Sequence, residues 1–275
     1  MTILQAVVLG LVQGLTEFIP ISSTAHLRIV PALLGWPDPG AAATAVIQFG
    51  TLVAVLIYFF GDLVKMTRGF FRGLATRQLF ADPYSALSWY VILGTIPIVI
   101  LGLTFKDFIE TTARGLWIIA FTLVFMAIIL LVAERWAARQ QLRGIEEINL
   151  KDAMAIGLGQ CLSLIPGMSR SGTTIMAGLF RKLTHAAAAR FSFLLSIPAI
   201  TAAGVLELYA EREHLATLGW TPILVAIAVA FISGYASIHF LINFLKTHTT
   251  RVFIYYRIVV GVMMMAMLAS GYLKN

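Results

Sequence analysis

Long, nearly uncharged apolar segments are the feature that most constrains the fold of this chain. Residues 41–60, 116–133 and 252–269 are examples, and each is close to the ~20 residues that a helix needs to cross a hydrocarbon layer ~30 Å thick. The chain of 275 residues is 59% hydrophobic and only 12% charged, whereas about a quarter of the residues of a soluble domain are charged. The sequence therefore predicts an all-α polytopic membrane protein.

The basic residues fall into two sets that the apolar segments separate. Short loops rich in Lys and Arg face the cytoplasm, so the larger set is predicted to be cytoplasmic. We expect these residues to contact anionic lipid headgroups, and we expect no nucleic-acid partner despite the net charge of +7. The larger set is Lys65, Arg68, Arg72, Arg77, Arg135, Arg139, Arg143, Lys151, Arg181, Lys182, Arg190, Lys246 and Arg251; the opposite set is Lys106, Arg114, Arg212 and Lys274, beside the acidic Glu207, Glu211 and Glu213.

Two segments of the chain resemble each other. AVVLGLVQGLTEFIP begins at Ala6, and the similar AMAIGLGQCLSLIP begins at Ala153. Apolar sequences share Leu and Ala by chance, so the Gly, Gln and Pro matches carry the comparison. These are Gly10 with Gly157 and Gln13 with Gln160, and, after deletion of one residue, Pro20 with Pro166.

The apolar segments and loop charges together predict two inverted repeats. Spans are expected near 44–60, 88–105, 115–133, 191–209, 219–245 and 252–272. Segments 1–35 and 152–180 are too long for loops and are broken by proline and serine, so each is predicted to be a re-entrant helical hairpin. Residues 1–275 then form one integral membrane domain: repeat one at about 1–133, a cytoplasmic connection at about 134–151, and repeat two at about 152–275. Each repeat is a hairpin plus three transmembrane helices, and both hairpin tips line one polar cavity.

The first hairpin carries ionisable groups, which are functional candidates at membrane depth. Glu17 follows Gln13 by four residues, so both share a helix face and offer oxygen ligands to a hard cation such as Mg²⁺ or Ca²⁺. A hydrogen bond across helices is the alternative. His26 follows Ser23 by three residues, which places an imidazole within reach of a hydroxyl, although a lone histidine is more often a packing residue.

The second hairpin carries PGMSRSGTT, residues 166–174. Gly167 and Gly172 permit a tight turn, and the helix that follows presents free N–H groups that suit a phosphate together with Arg170. The alternative is that Arg170 only neutralises Glu17. Two other arginines, Arg28 and Arg257, are expected to reach a headgroup region with their side chains.

QGLTEFIPISSTAH at residues 13–26 and PGMSRSGTT together closely resemble the bacterial undecaprenyl-diphosphate phosphatases, the bacitracin-resistance protein family. The resemblance covers essentially the whole chain. It implies an integral membrane hydrolase that removes the terminal phosphate of undecaprenyl diphosphate, recycles the carrier lipid of peptidoglycan synthesis, confers bacitracin resistance and depends on a divalent cation, Mg²⁺ or Ca²⁺. It also implies inverted, re-entrant repeats.

The resemblance implies a role for each motif residue. The acidic pair of the family falls on Gln13 and Glu17, which makes these the metal ligands, with Glu17 the stronger. Glu17, Ser23, His26 and Arg170 are the expected catalytic residues. The expected substrate-binding residues are Ser22, Gly167, Ser169, Arg170, Ser171 and Thr174.

Three routes to phosphate release stay open at this point. Ser23 attacks with His26 as base, His26 itself attacks, or His26 activates water. The site is expected to face the periplasmic side of the inner membrane of the cell. A homodimer is left open. The main rival function is a polyprenyl-phosphate flippase, because inverted repeats with midplane sites are typical of transporters; a structural or channel protein is disfavoured, because a pore does not need a phosphate-suited turn.

Overall fold

The computed structural model describes residues 1–274; Asn275 and the side chains of Glu110, Thr112 and His214 lie outside the description. Within that range the chain is α-helical with three short 3-10 turns, and an isolated bridge between Arg143 and Leu183 is its sole β-pairing. The helices are α1 Ile3–Glu17, α2 Ser23–Leu34, α3 Gly40–Tyr58, α4 Phe60–Thr76, α5 Pro83–Thr104, α6 Lys106–Glu110, α7 Leu116–Ala137, α8 Leu150–Cys161, α9 Arg170–Phe180, α10 His185–Ala210, α11 Arg212–Leu218, α12 Trp220–Phe244 and α13 Arg251–Ala269.

Six helices are long and apolar enough to cross a membrane: α3, α5, α7, α10, α12 and α13. They coincide with the six predicted spans within a few residues at most ends, which confirms the prediction of an all-α polytopic membrane protein. Large apolar side chains such as Phe121, Ile232 and Val259 are exposed on their outer faces, as expected of helices that face lipid.

Residues 61–87, between the first two predicted spans, carry four residues of the larger basic set and were expected to be a loop. This expectation is wrong, because α4 occupies most of the segment. Met66, Gly69 and Gly73 form the buried face of α4, and a Cβ at Gly69 would lie against the backbone of Ser85 at the start of α5. The basic residues of α4 are exposed on its other face, a pattern typical of an amphipathic helix.

The predicted hairpins are two helix–turn–helix units, α1–α2 and α8–α9, each followed by spans of its own half. Each first helix packs on a span of the other half: α1 on α12, and α8 on α5. The matched glycines permit these contacts, because a Cβ at Gly10 would meet Ala226 O and a Cβ at Gly157 would meet Gly94 O. The entry of the hairpins into a membrane from opposite sides stays a prediction.

Candidate active site

The two hairpin turns share one local geometry. Ser22 is the N-cap of α2 with φ 76°, and Ser169 is the N-cap of α9 with φ 70°. Positive φ is uncommon for residues other than glycine, yet both turns place serine there. The Ser22 hydroxyl accepts from Ala25 N at 3.3 Å and the Ser169 hydroxyl accepts from Gly172 N at 3.1 Å. Each cap therefore fixes the start of a helix whose first N–H groups have no intrahelical partner.

Arg257 of α13 joins the two turns. Its side chain is fully buried, and it donates to Pro20 O of the first turn at 3.2 Å and to Gly167 O of the second at 2.7 Å. Met168 O and Leu123 O accept further hydrogen bonds. The expectation that Arg257 extends to a headgroup region is wrong, because backbone carbonyls in the interior supply the partners that a buried guanidinium needs.

An ion pair connects the hairpins at their tips. Arg170, the first residue of α9, donates to Glu17 Oε1 at 3.0 Å. The second oxygen, Glu17 Oε2, accepts from Ser23 Oγ at 2.6 Å and from Gln13 Nε2 at 2.8 Å. Gln13, Glu17, Ser23 and Arg170, four of the predicted site residues, therefore form one network.

His26 does not hydrogen-bond to Ser23. Its Nδ1 lies 2.7 Å from Ser22 O, and its Nε2 lies 2.7 Å from the Tyr256 hydroxyl. A carbonyl only accepts, so Nδ1 carries a hydrogen and Nε2 takes the tyrosine hydroxyl. The spacing correctly placed Ser23 and His26 on one turn of α2, but the contact expected from it is wrong because the imidazole turns to its own helix and to α13. Tyr256 was missed, since no motif of the first hairpin points to a residue 230 positions later.

The remaining hydroxyls of the second motif form hydrogen bonds that hold α9 against its neighbours. Ser171 Oγ donates to Ile19 O of the first turn at 3.2 Å. Thr174 Oγ1 donates to Arg170 O at 2.8 Å and lies 2.6 Å from Ser192 Oγ of α10. Their hydrogen-bonding capacity is used inside the protein, which keeps α9 and Arg170 in place.

A cavity of about 470 Å³ begins at this network. Its polar end is lined by Glu17, Ser22, Ser23, Ser169 and Arg170, and its walls are apolar faces of α3, α5 and α10. Gln13, His26, Gly167, Ser171 and Thr174 are not among the lining residues. The far end is lined by Lys106, Arg114 and Glu207, all of which the charge pattern assigns to the outer side.

The oxygen atoms near Glu17 fit a divalent cation only in part. Among the described residues no group of three or more His, Cys, Asp and Glu side chains is arranged to hold a metal. Gln13 Oε1, however, is buried without a hydrogen-bond partner, next to a carboxylate. Mg²⁺ commonly uses one or two protein oxygens and takes its other ligands from phosphate and water. Glu17 and Gln13 can therefore supply the protein's part of such a coordination set, with phosphate and water as the other ligands.

Comparisons with known proteins agree on one family. Residues 6–263 match the family model described as Bacitracin resistance protein BacA. A protein of Chlorobium phaeobacteroides named undecaprenyl-diphosphatase is 52% identical over the full length of both chains. Proteins of the same name from Chloroherpeton thalassium and Myxococcus xanthus are each 52% identical, over all of this chain and 99% and 92% of theirs.

Proposed function

The chain belongs to the bacitracin resistance protein BacA family, and from this premise we propose that it hydrolyses undecaprenyl diphosphate to undecaprenyl phosphate and inorganic phosphate. The carrier lipid then returns to peptidoglycan synthesis, and its recycling underlies the bacitracin resistance of the family. One observation carries the assignment to a site: Glu17 and Ser23 of one hairpin meet Arg170 of the other at the polar end of an apolar cavity.

The second hairpin binds the diphosphate. Arg170 uses one nitrogen for Glu17 and another, at 3.3 Å, for Ser192 O, and a guanidinium has five N–H groups, so some remain for phosphate oxygens. The N-terminus of α9 adds backbone N–H groups and the positive end of its dipole. The turn through Gly167 and Ser169 presents that terminus to the cavity. The apolar walls accept the first units of the prenyl tail, so the lipid keeps its tail in an apolar environment.

The first hairpin performs the reaction. Ser23 Oγ lines the cavity, and its proton already points to Glu17 Oε2 at 2.6 Å. Ser23 Oγ attacks the terminal phosphorus, the bond from that phosphorus to the bridging oxygen breaks, and undecaprenyl phosphate leaves while Glu17 takes the serine proton. Water then attacks the phosphorus of the phosphoserine and the bond from phosphorus to Ser23 Oγ breaks. Glu17 returns its proton to Ser23 Oγ, and the protons of the water leave with inorganic phosphate. His26 supports the start of α2 through Ser22 O and Tyr256.

Glu17 and Gln13 are the proposed ligands of the divalent cation, Mg²⁺ or Ca²⁺. Gln13 Oε1 has no partner among the described residues, and Glu17 Oε1 and Oε2 retain lone pairs beyond their three donors. When bound, the cation neutralises charge on the diphosphate oxygens. Arg170 compensates the same charge from the opposite side of the network.

The site is proposed to face the periplasmic side of the inner membrane. Its cavity runs from the hairpin tips towards Lys106, Arg114 and Glu207, and the cytoplasmic side carries the greater share of Lys and Arg. Every residue of the site comes from one chain, so the same account holds for a monomer and for a homodimer.

Release of inorganic phosphate by the purified protein tests the function. With undecaprenyl diphosphate and Mg²⁺ or Ca²⁺ in detergent we expect turnover that chelation with EDTA abolishes. A folded preparation that releases no phosphate, but moves polyprenyl phosphate across proteoliposomes, would overturn the proposal in favour of the flippase. Family membership and the names of the relatives do not favour that alternative.

A further inference from the structure

A second pair of charged residues lies at the outer end of the cavity, away from the hairpin tips. Lys106 Nζ is 2.9 Å from Glu207 Oε1. Lys106 begins α6, directly after span α5, and Glu207 lies near the end of α10. Both line the cavity that Glu17 and Arg170 line at its other end.

Glu207 is incompletely satisfied in this position. The residue is only 6% exposed, and its Oε2 is buried with no hydrogen-bond partner among the described residues. An unpartnered buried polar atom is unfavourable, and charged atoms are more costly than neutral ones. Glu207 Oε2 is therefore an acceptor that lacks a donor, next to an ammonium group that donates.

We propose that Lys106 and Glu207 form a second phosphate subsite, which takes a phosphate that carries both a negative oxygen and a P–OH group. The negative oxygen accepts from Lys106 Nζ, and the P–OH group donates to Glu207 Oε2. At neutral pH inorganic phosphate retains such a proton, a phosphate monoester with a second pKa of about 6 is mostly ionised, and sulfate has none. The carboxylate therefore repels sulfate and accepts phosphate.

The subsite rests on the proposed function, because inorganic phosphate, a product of that reaction, has the required chemistry. Phosphate released beside Arg170 meets Lys106 and Glu207 at the other end of the same cavity. The subsite gives the product a second place to bind on its way out, and it makes the protein sensitive to phosphate on the outer side.

Anion inhibition and anion binding test the subsite. Inhibition of wild-type hydrolysis by inorganic phosphate and by sulfate is measured at equal ionic strength, and calorimetry measures binding of both anions to the same protein without substrate. We expect phosphate to bind about tenfold more tightly than sulfate, the effect of one hydrogen bond to a charged group. Lys106→Gln weakens phosphate binding by about tenfold for the same reason. Glu207→Gln removes the discrimination, because a neutral amide no longer repels sulfate.

Lys274→Gln is the matched control, since it removes an exposed lysine of the same predicted side away from the cavity. It should leave both affinities unchanged. The phosphate-to-sulfate ratio is taken within each variant, so a partly unfolded preparation does not alter it. Equal binding of the two anions by the wild type, or an unchanged phosphate affinity in Lys106→Gln, would overturn the subsite.

A further inhibition experiment distinguishes the free phosphate ion from a lipid headgroup as the occupant of the subsite. In it, undecaprenyl phosphate replaces inorganic phosphate as the inhibitor. Weakened inhibition by inorganic phosphate in Lys106→Gln identifies the free ion as the occupant, and weakened inhibition by the lipid identifies its headgroup. Either result supports the subsite, and the absence of both refutes it. Failure of wild-type turnover refutes the proposed function instead, while the calorimetric arm still reports on the subsite.

Discussion

The two hairpin turns have the same backbone geometry, but the residues that follow their caps differ in chemical character. Both cap a helix with a serine at positive φ, Ser22 in the first turn and Ser169 in the second. The next residue differs: it is Ser23 in one and Arg170 in the other. Only the first turn is preceded by a helix that ends in a carboxylate, Glu17. One geometry used twice therefore presents the proposed nucleophile and base, Ser23 and Glu17, from one side and a cation from the other.

The backbone geometry of the two turns and the reactive residues they carry are therefore separable. The shared geometry depends on cap hydroxyls and on the carbonyls that Arg257 binds, whereas the proposed reaction depends on the one position after each cap and on Glu17. Substitutions of the second kind should abolish turnover in a folded protein. Those of the first kind should affect stability in both hairpins alike.

Removal of either opposite charge should have the largest effect. Glu17→Ala and Arg170→Ala are each expected to lower kcat at least about 100-fold, because each removes charge stabilisation at the reacting phosphate. The matched controls are Asp62→Ala and Arg190→Ala, which break another Arg–carboxylate pair, 2.7 Å long, away from the cavity. Near-normal turnover in either site variant would remove that residue from the site.

Ser23→Ala should come next. We expect a loss of roughly 100-fold in kcat with little change in KM, because a nucleophile acts in the transition state and contributes little to ground-state binding. Ser163→Ala is the control: Ser163 lines the same cavity but donates its hydroxyl to Gln160 O. Equal effects of the two substitutions would show that the Ser23 hydroxyl has no chemical role.

Substitution of the two cap serines tests whether the caps stabilise the two hairpins equally. Ser22→Ala and Ser169→Ala should each lower stability by about 1 kcal/mol, the usual value of an N-cap, as measured by thermal unfolding in detergent. Ser22→Gly and Ser169→Gly should lower it less, because glycine adopts positive φ readily. A large loss of stability on substitution of one cap serine, with none on substitution of the other, would show that the two caps are not equivalent.

The smallest effect is expected at Tyr256, which acts through His26. Tyr256→Phe should reduce kcat by about 3- to 10-fold, since one neutral hydrogen bond is lost, while Tyr255→Phe on the exposed face of α13 should do nothing. The double variant His26→Ala with Tyr256→Phe should be no worse than His26→Ala alone. Additive losses would show that Tyr256 does not act through the imidazole.

Much of the fold could be predicted because hydropathy is a local property. Each of the six spans is a continuous apolar segment. Gly10 and Gly157, which the sequence match aligns, both lie where a helix packs closely on another helix. The helix α4 was missed because its basic residues were read as a loop. Its buried residues, Met66, Gly69 and Gly73, recur at helical spacing and were the available signal.

The sequence predicted which residues form the candidate site better than it predicted what those residues contact. Motif letters identified Glu17, Ser23 and Arg170, which the structure brings together. They did not identify the partners of His26 and Arg257, because those partners are a tyrosine on a distant span and backbone carbonyls of both turns. Contacts of that kind depend on how helices pack, and helical spacing within one segment does not reveal them.

A single-turnover experiment tests the central claim that the first hairpin reacts while the second binds. The purified protein is mixed with undecaprenyl diphosphate labelled in its terminal phosphate, quenched within one turnover and mapped by mass spectrometry. We predict label on Ser23, present in the wild type and absent in Ser23→Ala. Label on His26, or release of all the label as free phosphate without any labelled protein, would contradict the claim.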